Sequence, residues 1–159
     1  MLQGRGIRSW EAIVTNDDDH FQVWLMDMSD AIERFRDSIA VGVAIRLDFS
    51  PESLSVIEEF ALVSYPTIDD IKKQVEARVV DGMARYVGEV FRKHFGGKWI
   101  IDFADRRNAF YGLPQLAGMA GQRTQTCPLT LVTASVDRRT GKFIRAVFDN
   151  CLRNAAKAQ

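Results

Sequence analysis

Met83-Ala84-Arg85-Tyr86-Val87-Gly88-Glu89-Val90-Phe91-Arg92-Lys93-His94-Phe95-Gly96-Gly97-Lys98-Trp99 decides how this chain folds. Met83, Tyr86, Val87 and Val90 recur at helical spacing, so the stretch begins as the end of an amphipathic helix. Gly96 suits the left-handed position after a helix, where a side chain would be strained. Lys98 to Phe103 then reads as a strand with Trp99, Ile101 and Phe103 on one face. The order is helix, double-glycine stop, strand, and nothing in it is a catalytic signature.

Working upstream, Ile68, Ile71, Val75 and Val79 extend the same apolar stripe, and Thr67-Ile68-Asp69-Asp70 resembles a capping box. Unbroken from Thr67 to Phe95, this helix would be about 43 Å long at 1.5 Å per residue. A domain of this size is only about 39 Å across, so the helix either spans it or bends near Val79-Val80-Asp81-Gly82. Gly82 and Gly88 each cost about 1 kcal/mol relative to alanine, a cost tolerated where another backbone packs close. A long central helix with neighbours seated on these glycines is expected.

Ser50-Pro51-Glu52 starts an earlier helix, with Leu54, Ile57, Phe60 and Ala61 as its stripe and Pro66 closing it. Val41, Val43, Ile45, Leu47 and Phe49 alternate with small or polar residues and predict a strand. Thr15-Asn16-Asp17 offers caps for an N-terminal helix from about Asp17 to Ser38, striped by Phe21, Trp24, Met28, Ile32 and Phe35. A short lead, Ile7 to Val14, precedes it. Downstream, residues 104–126 are irregular and glycine-rich, and loops of that length are often functional. Leu129 to Val136 reads as a strand opened by Pro128. Ile144, Val147, Phe148, Cys151 and Leu152 stripe a C-terminal helix from about Thr140.

The fold expected is α+β: a sheet of about three strands (41–49, 98–103, 129–136) packed by four helices, one of them long and central. A single domain spans 1–159, with its core at 47–152 and an N-terminal helix region at 1–40. Hydrophobic residues make up 47% and charged residues 26%, which suits an ordinary globular core. Lys+Arg and Asp+Glu both total 21, so no net field would gather nucleic acid or anionic lipid. Met1 to Trp10 has no apolar h-region, and no run approaches the apolar length of a membrane span. A cytoplasmic location is expected.

Leu47-Asp48-Phe49-Ser50-Pro51-Glu52-Ser53-Leu54, then Tyr86-Val87-Gly88-Glu89-Val90 and Gly96-Gly97-Lys98-Trp99, resemble a family of small bacterial domains of unassigned function. That family shows an LDxSPESL helix start followed by a YxGE…GGxW helix-to-strand unit. The resemblance covers residues 47–103 and leaves the N-terminal helix outside. It implies no catalytic residue. It does imply a protein-binding role, because some similar domains are suspected of belonging to toxin-immunity loci.

The candidate residues are Glu89, Asp102, Arg106, Phe110, Tyr111 and Trp99. Glu89 sits four residues from both Arg85 and Lys93, which predicts a helical ion-pair ladder. Its other reading is a buried or groove-lining carboxylate. Asp102 and Arg106 follow the strand into the irregular segment, where a solvated loop is the simpler reading. Phe110-Tyr111-Gly112-Leu113-Pro114 is an apolar run in that segment, suited to a partner surface or to capping the core. His20 and His94 lack the companions a metal needs, and Cys127 and Cys151 read as buried free thiols. No phosphate loop or GxSxG nucleophile context occurs, so no cofactor or metal is expected. The leading expectation is a non-enzymatic protein-binding module, immunity-like, using the 104–126 loop. The alternative is an enzyme or small-ligand binder with Glu89, Asp102 and Arg106 converging on a pocket beside that loop.

Overall fold

A computed structural model describes residues 17–159. The lead at 7–14, the capping residues Thr15 and Asn16, and the Met1–Trp10 segment lie outside them. The architecture is α+β but mostly helical. Helix α1 covers residues 17–26. After it come α2 (Met28–Asp37), α3 (Val41–Ala44), α4 (Ser53–Ser64), α5 (Ile68–Ile71), a 3-10 turn (Gln74–Glu76) and α6 (Ala77–Phe95). Strands β1 (Lys98–Ile100) and β2 (Gln115–Ala117) precede α7 (Pro128–Arg138) and α8 (Phe143–Lys157). Among the described residues there are thus two strands rather than three, and more than four helical segments.

The central helix exists, but it starts later than its stripe implied. Thr67 and Asp70 do form a reciprocal capping box. Lys73 then turns extended (ψ 135°), and the chain re-enters helix only at Ala77. Val75, expected on the core face, is 82% exposed, so the stripe is interrupted there. The Tyr65 hydroxyl donates to Glu76 at 2.6 Å and ties this corner to the end of α4. What remains is a run of 19 residues, about 28 Å long. From Gly82 to Phe91 every residue of α6 is buried, as in a helix enclosed by neighbours. It packs against α7, α2 and α4, while α4 also meets α7 and α8.

The two glycines of α6 seat side chains, not backbones. A Cβ on Gly82 would lie 2.5–2.9 Å from carbons of Phe35 on α2. A Cβ on Gly88 would overlap the Trp99 ring and approach Pro128 Cγ at 3.0 Å. Gly96 ends the helix at φ 71°, and Gly97 follows at φ 91°. The chain then enters β1, which pairs antiparallel with β2, Trp99 opposite Leu116.

Both of the other expected strands are corrected. Residues 41–44 are the short helix α3, and the chain turns through 45–52 into α4. The alternation did not mark two faces of a sheet: Val41 and Ile45 are 81% and 75% exposed, whereas Leu47 is fully buried. Residues 129–136 belong to α7, with Pro128 at its first turn. There Leu131, Val132, Ser135 and Val136 are buried, a helical interval, and Cβ branching yields to tertiary packing. The N-terminal helix expected over 17–38 is two segments meeting at Asp27, across which hydrogen bonding nearly continues.

Candidate functional site

One line of charges runs along α6: Asp81, Arg85, Glu89 and Arg92, each three or four residues from the next. On an enclosed helix such groups need partners, because an unpaired buried charge is costly. Arg85 is 3% exposed; its Nε donates to Asp81 at 2.6 Å and its Nη1 to the Trp24 carbonyl at 2.7 Å. The guanidinium also lies 4.1 Å from the Trp24 ring. Trp24 Nε1 donates to Asp81 at 2.9 Å, so α1 is pinned to α6 through both the carbonyl and the indole of one residue. Glu89 is 7% exposed and accepts from Trp99 Nε1 at 2.9 Å and from Arg92 at 3.0–3.2 Å. Trp24 meets Trp99 edge-on at 5.0 Å.

The expected ladder from Arg85 through Glu89 to Lys93 does not form. Arg85 finds Asp81 and a backbone carbonyl of α1 together, a better pair of acceptors for a buried guanidinium. Lys93 instead lies 4.4 Å over the Phe49 ring. Phe49 adopts φ 62°, a left-handed backbone that costs a phenylalanine on the order of 1–3 kcal/mol. Its N–H donates to the Tyr86 hydroxyl at 2.8 Å, and that hydroxyl donates to Ser53 Oγ at 2.7 Å. Burial pushes the Tyr86 phenol up. The two quoted motifs therefore touch through Tyr86.

Beyond β1 the chain closes a compact loop over residues 102–112, whose ends are joined by Gly112 N–H donating to the Asp102 carbonyl at 2.8 Å. The Asp102 carboxylate accepts from Asn108 Nδ2 (2.9 Å) and from the N–H groups of Ala104 (2.8 Å) and Asp105 (3.1 Å). Asn108 and these two backbone donors hold its carboxyl below the usual range. Asn108 Oδ1 in turn accepts from Phe110 N–H at 2.9 Å. Held this way, the loop exposes Phe103 (42%), packed edge-on to Tyr111 at 6.4 Å, with Arg106 5.7 Å over the Tyr111 ring. Beneath it the buried Gln115 donates from Nε2 to the carbonyls of Phe110 (3.3 Å) and Leu113 (3.5 Å), while its Oε1 finds no donor among the described residues.

The candidate residues fall in three places. Glu89 and Trp99 are bonded to each other and line a cleft of about 550 Å³ with Phe49, Arg92 and Lys93. Asp102, Arg106 and Tyr111 belong to the 102–112 loop. Phe110 lines a separate polar cavity of about 620 Å³ that also holds Cys127 and Cys151, whose thiols burial pushes up. None of the described cavities brings Glu89 together with Asp102 or Arg106. Trp99 also forms one wall of an apolar groove of about 420 Å³, with Trp24, Val80, Leu113 and Leu129. Among the described residues, no three His, Cys, Asp or Glu side chains gather to hold a metal. No described helix is long and apolar enough to cross a membrane.

Comparison with family models, with curated proteins and with solved structures finds no match. Function must therefore be read from this chain's own surfaces. Several residues that build them escaped the sequence reading. Asp81 and Arg85 were legible as an (i, i+4) pair, but not as the clamp on Trp24. Glu58 was visible as an acid inside the apolar stripe of α4. Gln115 carried no signal.

Proposed function

We propose that this chain is a non-enzymatic protein-binding module that offers its 102–112 loop to a partner. The observation that carries this reading is the loop's internal bonding around Asp102, which fixes Phe103, Tyr111 and Arg106 at the surface without help from a partner. Compact loops with closed ends are frequently functional. Aromatic and arginine side chains dominate binding hot spots, and a loop ordered beforehand loses less entropy on association. An acid–base reading finds less support. The Asp102 carboxylate is occupied by three donors and Glu89 by Trp99 and Arg92, in separate places. The family resemblance adds the form the role would take, an immunity-like protein of the bacterial cytoplasm that binds and blocks a toxin.

The test compares wild type with a Phe103→Asp/Arg106→Glu variant as immobilised bait, identifying bound proteins by mass spectrometry. A specific partner should be retained by wild type and weakened at least about 30-fold by the variant, given hot-spot losses of about 2 kcal/mol or more. The variant's melting temperature should be unchanged. The same bound proteins on both baits would overturn the reading.

A further inference from the structure

The apolar groove beside the loop is the strongest unassigned surface among the described residues. Its floor and walls come from Trp24, Trp99, Val80, Leu113, Pro114 and Leu129, drawn from α1, α6, β1, α7 and the loop's exit. Trp24, Trp99, Leu113, Pro114 and Leu129 are each only half-buried, so the groove is open along its length. The polar atoms around it are mostly committed elsewhere. The Thr130 and Thr133 hydroxyls donate to carbonyls of α7's own first turns. Asp81 is taken by Arg85 and Trp24. The charge left over on its lining is positive and is carried by two consecutive lysines. Lys72 is exposed with no ion-pair partner among the described residues, and Lys73 is joined to Asp70 only by a surface contact of 3.2 Å.

We infer that this groove seats an apolar segment of a partner protein, with an aspartate or glutamate at the end that meets Lys72 and Lys73. The inference rests on the protein-binding reading and names the chemistry of what is bound. A small molecule is the weaker fit, because such sites orient their ligand with a few buried polar groups aimed inward. Here the Thr130 and Thr133 hydroxyls are satisfied within α7 and Asp81 by Arg85 and Trp24. An apolar trough with an adjacent pair of lysines on its lining matches the way grooves take amphipathic segments. The lysines would contribute chiefly to association rate and selectivity, since exposed pairs add little affinity. The groove is also continuous with the proposed binding loop: Leu113, on its wall, donates its N–H to the Phe110 carbonyl at 3.0 Å.

The experiment pans a randomised dodecapeptide phage library against the full chain. Enriched peptides, made with a fluorescein label, are then measured by anisotropy on four proteins: wild type, Lys72→Glu/Lys73→Glu, Leu129→Lys and Phe103→Asp/Arg106→Glu. The expected winners are apolar with an acid at one end. They should bind about tenfold more weakly to the lysine-reversed variant, with an affinity that falls as salt rises. Leu129→Lys should abolish binding; if that variant does not fold, the lysine-reversed protein, altered only at the surface, decides. Winners without acids, or winners that both groove variants bind as tightly as wild type does, overturn the inference. So does an absence of enriched peptides alongside groove binding of dodecanoate, which would make the ligand a small acid. A dimer in sedimentation that is lost in the groove variants would assign the groove to a second copy and overturn it too. Peptides weakened only by Phe103→Asp/Arg106→Glu would remove the groove proposal and leave the protein-binding reading standing.

Discussion

Gly88 matters for the side chain it lacks. The Trp99 ring occupies the space where its Cβ would be, and that position lets Trp99 Nε1 reach Glu89. Gly88→Ala gains about 1 kcal/mol of helix propensity but forces the ring or Pro128 to move, an overpacking cost of about 1–3 kcal/mol. The net effect should be a lower urea midpoint, partly restored by adding Trp99→Leu. An unchanged midpoint in the single variant would mean the ring moves aside freely. Asp102 gives a pH test. Its folded pKa is depressed, so its contribution to loop order is present above the unfolded value of about 3.9 and lost as pH falls through the lower folded one. Carboxyl NMR should place its midpoint below the ordinary value, and Asn108→Ala, removing the largest cause, should raise it. A wild-type midpoint at the ordinary value would contradict the loop geometry.

At the scale of elements, helices cap one another. The fully buried Glu58 on α4 accepts from Phe143 N–H (3.1 Å) and Ile144 N–H (2.7 Å) at the start of α8. Arg139, left-handed at φ 55°, donates to the Tyr65 and Leu62 carbonyls at 2.9 and 3.0 Å, closing the end of α4. Glu58→Gln keeps the size but swaps one acceptor for a donor facing an N–H. It should destabilise by about 1–3 kcal/mol and speed amide exchange at Phe143 or Ile144. Protection unchanged at both amides would refute the cap. Such caps show why some elements could be read and others could not. The starts of α4 and α5 carry local signals, Pro51 and the Thr67–Asp70 box. The start of α8 has no capping side chain of its own, since its partner lies 85 residues away. Pro128 fits a helix's first turn as well as a strand's edge, and only packing on α6 chooses between them.

Across the whole molecule, Trp24 and Trp99 join the first helix, the central helix and the sheet in one contact. Tryptophan fluorescence and far-ultraviolet circular dichroism should therefore report one coincident urea transition. Separated midpoints would mean that α1 or the β1–β2 pair melts alone. The rod's end at Gly96 and the start of the strand after it were legible because glycine conformations are local facts, but the strand stops at Ile100 rather than at Phe103, which lies in the following loop. Glu89 and Trp99 were legible as singular residues, but not their bond, which depends on room made by Gly88. The 104–126 segment could be read as irregular from its glycines only in part, because strand β2 (Gln115–Ala117) lies within it and carried no alternation long enough to see. Which of its side chains face outward depends on bonds to Asp102 that no periodicity encodes.

The lone oxygen of Gln115 carries a further implication. A methionine of similar shape would spare the interior an unmet acceptor worth about 1–3 kcal/mol, yet it would leave the Phe110 and Leu113 carbonyls without their donor. The Gln115 amide thus ties the exit of the 102–112 loop to the buried start of β2, so the backbone beneath Phe103 and Tyr111 is braced from the interior rather than by the loop alone.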